Sequence, residues 1–325
     1  MMLSSSLTSL TQTLVISKKA SELTIMKRPI VPFHNARTAF KALLQEFRFS
    51  AADEILLPAY VGWSKNEGSG VFDPVCEVGA QFRFYRLTRD LAIDLDDLCI
   101  QLKTSRPRLV VFIHYFGWPD AQLAEAVMLA REHGAVVLED EAHALYSDWV
   151  SGICGRLGDA AIFSLHKMLP FDYGGWLALN RSLEPSIITQ LLQSPLRNPL
   201  PYDPLNYDWY SIAAARREHA QKLLELLSPI NDRIRPLYTI LPEGVVPQTL
   251  PVIVTEHSRD DLYFKMNERG FGVVSLYHTL IEAIQPAEFP DSHWLAKHIM
   301  NLPVHQDIVP QALEAMVEQL TRIVR

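Results

Sequence analysis

Along this chain, short unbroken apolar runs alternate with longer stretches in which apolar residues return at helical spacing. Leu109-Val110-Val111-Phe112-Ile113, Val136-Val137-Leu138, Ala161-Ile162-Phe163 and Trp176-Leu177-Ala178-Leu179 are runs of the first kind. A run apolar at every position belongs to a strand buried on both faces, as in parallel sheets. The pattern predicts strands over Glu54–Pro58, Phe82–Leu87, Leu109–Ile113, Val136–Leu138, Ala161–Leu165 and Trp176–Leu179. Between them it predicts a helix running through Phe47, one opening at Asp94 with acidic residues in its first turn, and one from Asp120 to His133 that stops at Gly134. The Gly-rich turn Asn66–Gly70 should lead into a stretch poor in helix. Strand and helix in alternation predict an α/β domain with a mostly parallel, doubly wound sheet.

After Asn180 the pattern changes. Pro195 to Asp208 is rich in Pro and Asn and should be irregular, and Ile212 to Leu227 reads as a long helix ending before Pro229. From about Asn231 short strands and helices alternate, as in a smaller α+β C-terminal domain closed by an amphipathic helix. The expected division is an N-terminal extension over 1–30, a large α/β domain over 31–228 and a small α+β domain over 229–325. The first seventeen residues are Ser/Thr-rich and mildly apolar. The first basic side chain is Lys18, after the apolar run rather than before it, so a secretory signal is not expected.

Composition narrows the class. With 325 residues, 48% apolar and 21% charged, the chain has the make-up of an ordinary globular protein. A net charge of −7 with no Lys/Arg cluster argues against a nucleic-acid surface. No apolar run reaches the length of a membrane span. Cys76, Cys99 and Cys154 are far apart and form neither a metal spacing nor an evident disulfide set, which predicts a reducing, cytoplasmic setting.

The candidate chemistry centres on Lys167. It follows the apolar strand Ala161–Leu165 and precedes a loop closed by Gly174-Gly175. A lysine at the end of a buried strand loses hydration, its pKa falls, and it becomes an amine nucleophile able to form a Schiff base with a carbonyl. Upstream, Val136-Val137-Leu138 runs into Glu139-Asp140-Glu141-Ala142-His143-Ala144. A carboxylate at the C-terminal end of a parallel strand lies where open α/β sheets bind ligands.

These phrases resemble the DegT/DnrJ/EryC1/StrS family of fold-type-I sugar aminotransferases, which depend on pyridoxal 5'-phosphate (PLP). Members carry a strand ending in Glu-Asp-Ala-Ala-Gln/His-Ala, then Gly-Asp-Ala-Ala-x-Phe-Ser-Phe-His-x-x-Lys and Gly-Gly. Here the second phrase reads Gly158-Asp159-Ala160-Ala161-Ile162-Phe163-Ser164-Leu165-His166-Lys167. Two residues fewer than usual separate Ser164 from Lys167, while Gly174-Gly175 keep the family distance from the lysine. His114-Tyr115-Phe116-Gly117-Trp118-Pro119 is similar to the family's His-x-Tyr-Gly-x-Pro. Further likenesses lie at Arg269–Val273 with Leu276-Tyr277-His278, and at Asn301–His305, so the resemblance spans roughly residues 30–325. The chain is shorter than typical members, chiefly between residues 180 and 270.

The resemblance implies roles. Lys167 would carry the cofactor and move protons, Asp140 would keep the pyridine nitrogen protonated, and His143 would contact the ring or its phenolic oxygen. Ala36, Arg37 and Thr38, in the turn that opens the first helix, would hold the phosphate together with Ser164. A helix start suits an anion through its free N–H groups. Tyr60 and Trp63, after the strand ending at Pro58, are both candidates to stack on the ring, and Asn206 would reach the phosphate of a neighbouring subunit. His166, Tyr277 and His278 would face substrate. The implied reaction passes an amino group, from glutamate, to a nucleotide-linked keto sugar in a homodimer. A sugar dehydratase of the same family, with histidine replacing the lysine, and a non-catalytic PLP-binding regulator are the alternatives. The third reading, a general α/β nucleotide binder, would need a Gly-rich phosphate loop after the first strand, which this sequence lacks.

Overall fold

The computed structural model describes residues 28–180, 183–200 and 203–324. Seven strands make the main sheet: β1 (Ile30–Phe33), β2 (Glu54–Pro58), β3 (Gln81–Tyr85), β4 (Leu109–Ile113), β5 (Val136–Asp140), β6 (Ala160–Ser164) and β7 (Gly175–Leu179). Their order is β1-β7-β6-β5-β4-β2-β3. β3, β2, β4, β5 and β6 are parallel in succession. β7 runs antiparallel to β6, and β1 antiparallel to β7.

Both faces of this sheet are covered, which is why its strands read as unbroken apolar runs. Along β6, Ala160 and Ile162 join one apolar cluster while Ala161 and Phe163 join another. Along β7, Leu177 and Leu179 face the first cluster, and Trp176 and Ala178 the second. Each fully buried Phe or Leu contributes roughly 1.5–3 kcal/mol.

Helices α1 (Ala36–Glu46), α2 (Phe72–Glu77), α3 (Leu95–Ser105), α4 (Leu123–Glu132), α5 (Leu145–Trp149) and α6 (Pro185–Gln193) follow the strands in turn, and α7 (Trp209–Leu227) leads away from them. Asn35 caps α1 by accepting from the Thr38 N–H, and Asp94 caps α3 by accepting from that of Asp97. α2 occupies the stretch expected to be poor in helix. It is one short segment with Pro74 inside it and no side-chain cap, so neither period nor cap marks it in the sequence. α4 begins at Leu123 rather than Asp120, because Asp120 instead accepts from the N–H groups of Ile93 and Gln122. α7 starts at Trp209, ahead of Ile212, since the Asp208 side chain caps it through the Ser211 N–H.

A second, antiparallel sheet joins β8 (Ile234–Pro236), β9 (Thr249–Val254) and β10 (Ile299–Pro303), with β9 central and buried along its length. α8 (Arg259–Asn267), α9 (Pro290–His298) and α10 (Pro310–Val324) accompany it. α10 buries Leu313, Met316, Val317, Leu320 and Val324, a stripe at helical spacing. Arg216 on α7 ties the two sheets' surroundings together. Its guanidinium, almost fully buried, donates to Gln248 O and Gln306 Oε1 and lies over the Tyr146 ring.

Residues 276–281 return to the main sheet. Ile281 N donates to Val61 O and Trp63 N donates to Thr279 O, which brings Tyr277 beside the loop after β2.

Candidate active site

The C-terminal ends of β2, β4, β5 and β6 supply the site. Asp140 is the last residue of β5, Ser164 the last of β6, and Lys167 ends the single 3₁₀ turn Leu165–Lys167 that follows. Buried Leu165 anchors this turn: its N–H donates to Gly174 O, and its carbonyl accepts from Met168 and Leu169. Gly174 sits at φ +143°, a conformation L side chains rarely adopt, and donates to His34 O.

Lys167 Nζ ends 3.1 Å from His143 Nε2. His143 is buried, and its Nδ1 lies 3.2 Å from the Phe116 backbone N–H. A backbone N–H can only donate, so Nδ1 is the acceptor and the ring proton resides on Nε2. Nε2–H then donates to Lys167 in the neutral form of its amine, the form that presents a lone pair. Lys167 as a residue is exposed, but protein packed around its amine lowers the pKa by desolvation, against the attraction of Asp140 and Glu67. Burial above all, and the positive charge that Lys167 carries when protonated, hold the His143 pKa well below the imidazole range. Phe116 sits at φ +58°, where a bulky residue is strained, and its ring stacks on His143.

Asp140 is buried, and its Oδ1 accepts from the Ala142 N–H at 2.9 Å. Burial raises its pKa, against that hydrogen bond and the charges of Lys167 and His114. Tyr60 is fully buried and stacks on Tyr277 at 5.3 Å between ring centroids. Tyr277, at φ +59°, also meets Tyr115, Phe116 and His143 edge to face. Burial, then Asp140, pushes its phenol well above the usual range.

Not all the expected residues converge. Trp63 is 45% exposed, so Tyr60 is the ring of the pair that lies in the aromatic cluster. The Arg37 guanidinium turns from the helix start toward the next loop, donating to Glu67 O and pairing with Asp73 at 3.7 Å. Ala36 and Thr38 open α1 with the Thr38 hydroxyl 3.0 Å from Asn35 Oδ1. His166 is exposed, with Ser164 Oγ 3.3 Å from its Nδ1. His278 is exposed and bonds Ser275 O. Asn206 is exposed beside a groove of ≈ 570 Å³ walled by Ile30, Trp149, Trp176, Leu200 and Leu205. Tyr202, another aromatic of that segment, lies outside the described residues, as does nearly all of the 1–30 extension.

Sequence reasoning missed the support behind Asp140. Glu139 is completely buried, lies 2.9 Å from His114 Nε2, and accepts from the N–H groups of Gly155, Leu157 and Gly158. Its signal was present: a carboxylate inside an apolar strand, with a Gly-rich loop shortly after.

The family model for the DegT/DnrJ/EryC1/StrS aminotransferases matches residues 21–191. The chain belongs to this family. Aminotransferases of the DegT/DnrJ/EryC1/StrS family are PLP-dependent. Among curated relatives, the spore coat polysaccharide biosynthesis protein SpsC of Bacillus subtilis (strain 168) is 38% identical over 76 residues, covering 23% of this chain and 19% of SpsC. The match therefore spans about a fifth of that relative. Among solved structures, the putative sugar aminotransferase Spr1654 of Streptococcus pneumoniae, in its PLP form, superposes with a TM-score of 0.73 at 16% identity, covering 91% of this chain and 87% of that one. DesI with its TDP-sugar product gives a TM-score of 0.72 at 19% identity, covering 91% of this chain and 81% of that one. The fold is theirs.

Proposed function

We propose that this chain is a PLP-dependent aminotransferase working at Lys167. The observation that carries the reading is the Lys167–His143 contact beside buried Asp140. The residues present suit the cofactor on two counts. Asp140 offers an anionic oxygen beyond the one bound to Ala142. Gly175 lets β7 press against the start of α1, since a Cβ there would lie 2.2 Å from Asn35 C and 2.5 Å from Ala36 N. Any larger residue would push away the helix start whose N–H groups suit a phosphate.

PLP, when bound, supplies an aldehyde for a reversible covalent link to amines and a ring that takes up an electron pair. The chain's own residues do the rest. Neutral Lys167 presents its lone pair, oriented by His143 Nε2–H, and once released carries a proton as base and then acid. Asp140 holds the proton on the ring nitrogen. The start of α1, with Thr38 and Ser164, receives the phosphate. Tyr60 and Tyr277 keep water from the reacting face.

A nucleotide-linked keto sugar as acceptor, with glutamate as amino donor, is the substrate reading. It is supported by the family and by the TDP-sugar product held by DesI. Lys167 reaching His143, while His166 faces Ser164 and is exposed, favours transamination over the histidine-based dehydratase. The reading includes a homodimer built on the exposed apolar surface of Leu205 and Tyr210, 72% and 74% exposed, with Asn206 toward the neighbour's phosphate. It includes the division at about residue 228, where α7 ends, and a cytoplasmic setting consistent with three free cysteines. Among the described residues no helix is long and apolar enough to cross a membrane.

The test is borohydride reduction of the PLP-loaded protein followed by peptide mapping. A cofactor adduct on Lys167, absent in Lys167→Ala, and amino transfer from glutamate to a nucleotide-linked keto sugar are expected. An adduct elsewhere refutes the lysine, and turnover in Lys167→Ala refutes the mechanism.

A further inference from the structure

Next to Asp140 stands a residue the mechanism does not use. Glu141 replaces the first alanine of the family's Glu-Asp-Ala-Ala phrase, and it is completely buried. Neither of its carboxylate oxygens has a hydrogen-bond partner of ordinary geometry. Around it stand the carboxylates of Asp148 and Glu139, the Arg28 guanidinium and the Cys154 thiol, a weak donor. The other carboxylates nearby are provided for. Glu139 accepts from His114 and three backbone N–H groups, and Asp148 pairs with Arg28 and, at 3.0 Å, with Arg156. Arg28 donates to Asp148 and to Gly155 O while its Nε has no partner, and its one charge is shared between Asp148 and Glu141. A buried carboxylate without hydrogen bonds, beside two others, is costly by several kcal/mol unless a further cation or a proton neutralises it.

The geometry points to a divalent metal site of the zinc type, formed by His114, Glu141 and Cys154. All three are buried, and their donor atoms lie within 4.8 Å of one another. With no two donors more than 4.8 Å apart, a point lies within roughly 2.8 Å of all three, so closing to zinc distances needs at most about 0.5–0.8 Å per ligand. Nitrogen, oxygen and thiolate sulfur together select zinc over the hard cations magnesium and calcium. His114 Nε2 lies 3.8 Å from Glu141 Oε1 and 2.9 Å from Glu139 Oε2, so one ring nitrogen faces both carboxylates. Metal binding replaces the Nε2–H bond to Glu139, and the ring proton moves to Nδ1. The fourth position falls to Glu139 or a water.

The step balances without redox chemistry. Bonds form from the metal to nitrogen, oxygen and sulfur as the ion sheds water ligands, and the protons of Cys154 and Glu141 leave to solvent. With a water in the fourth position, one dication, one thiolate and one carboxylate then sum to no net charge, which suits an interior. The three ligands follow β4, β5 and α5, so the metal would staple the strand end that carries Asp140 to the loop beyond α5.

The experiment measures metal content by mass spectrometry after purification without chelators, on wild type, Glu141→Ala, Cys154→Ser and Lys167→Ala. About one zinc per chain is expected in wild type and Lys167→Ala, and none in the other two. Because Glu141→Ala installs the family's residue, it should fold, and under this proposal it melts at lower temperature than zinc-loaded wild type. Cobalt exchanged into wild type should show a sulfur-to-cobalt charge-transfer band that Cys154→Ser lacks. Wild type with no metal above the buffer blank, and Glu141→Ala as stable as wild type or more so, would overturn the site and leave a proton on Glu141. Metal retained in Cys154→Ser and Glu141→Ala would likewise overturn it.

Discussion

His143 should set the protonation state of Lys167 by a hydrogen bond rather than by charge. The Phe116 N–H fixes the tautomer, and Nε2–H reaches the amine at 3.1 Å. A neutral imidazole donating to a neutral amine favours the free base, since an ammonium has no lone pair to accept with. Replacing His143 with leucine removes that bond, worth about 1 kcal/mol net, and so lowers the ratio of neutral to charged Lys167 about five-fold at a given pH. The Phe116 N–H also loses its acceptor, so the fold should weaken by about 1–3 kcal/mol. Glutamine offers both an acceptor for Phe116 and a donor for Lys167, and should restore both properties. The assay is a pH titration of Lys167 in the cofactor-free protein, followed by the NMR shift of its isotopically methylated amine. A lysine that titrates at the ordinary value in wild type would refute the reasoning. So would a leucine variant whose lysine titrates at the same pH or lower.

Further outcomes are expected at Gly175, at Asp140 and in the assembly. Gly175→Ala should displace the start of α1 and weaken PLP binding at least ten-fold in a spectrophotometric titration, because its Cβ would fall 2.2 Å from Asn35 C; unaltered affinity would detach that helix start from the phosphate. Asp140→Asn should slow turnover about thirty-fold, on the order of 2 kcal/mol. Burial raises the Asp140 pKa in the folded state, so its ionised form costs stability that grows as pH rises through that value. The cofactor-free asparagine variant should therefore melt no lower than wild type at neutral pH, and a lower melting temperature would contradict the sign. Sedimentation at micromolar concentration should show a dimer, and Asn206→Ala should weaken PLP binding while leaving the dimer intact; a clean monomer refutes the two-fold assembly.

What could be read from sequence was whatever depends on neighbours along the chain. The buried strands announced themselves because both faces are covered, and Lys167, Asp140 and His143 sit at strand ends that local pattern locates. α2 gave no such signal, being one short segment interrupted by Pro74. Contacts between distant residues were equally silent. Nothing in the spacing of Arg37 and Asp73 says that they pair, and nothing near Tyr277 says that it stacks on Tyr60. The left-handed backbone of Phe116, which fixes the His143 tautomer, is dictated by the surrounding fold and not by a residue type that favours it.

The stacking of Tyr277 on Tyr60 joins positions 217 residues apart in the chain. On a ribosome adding about 5–20 residues each second, some 10–40 s pass between the emergence of the two rings. Strands β2 to β7, and the lysine among them, are synthesised well before the segment that roofs them. Lys167 itself precedes Tyr277 by 110 residues, so for about 5–20 s of that interval the nascent chain carries the lysine in a half-built, open crevice. If Lys167 is the cofactor lysine proposed above, cofactor captured during translation would shield that amine from other aldehydes as well as equip the newborn protein.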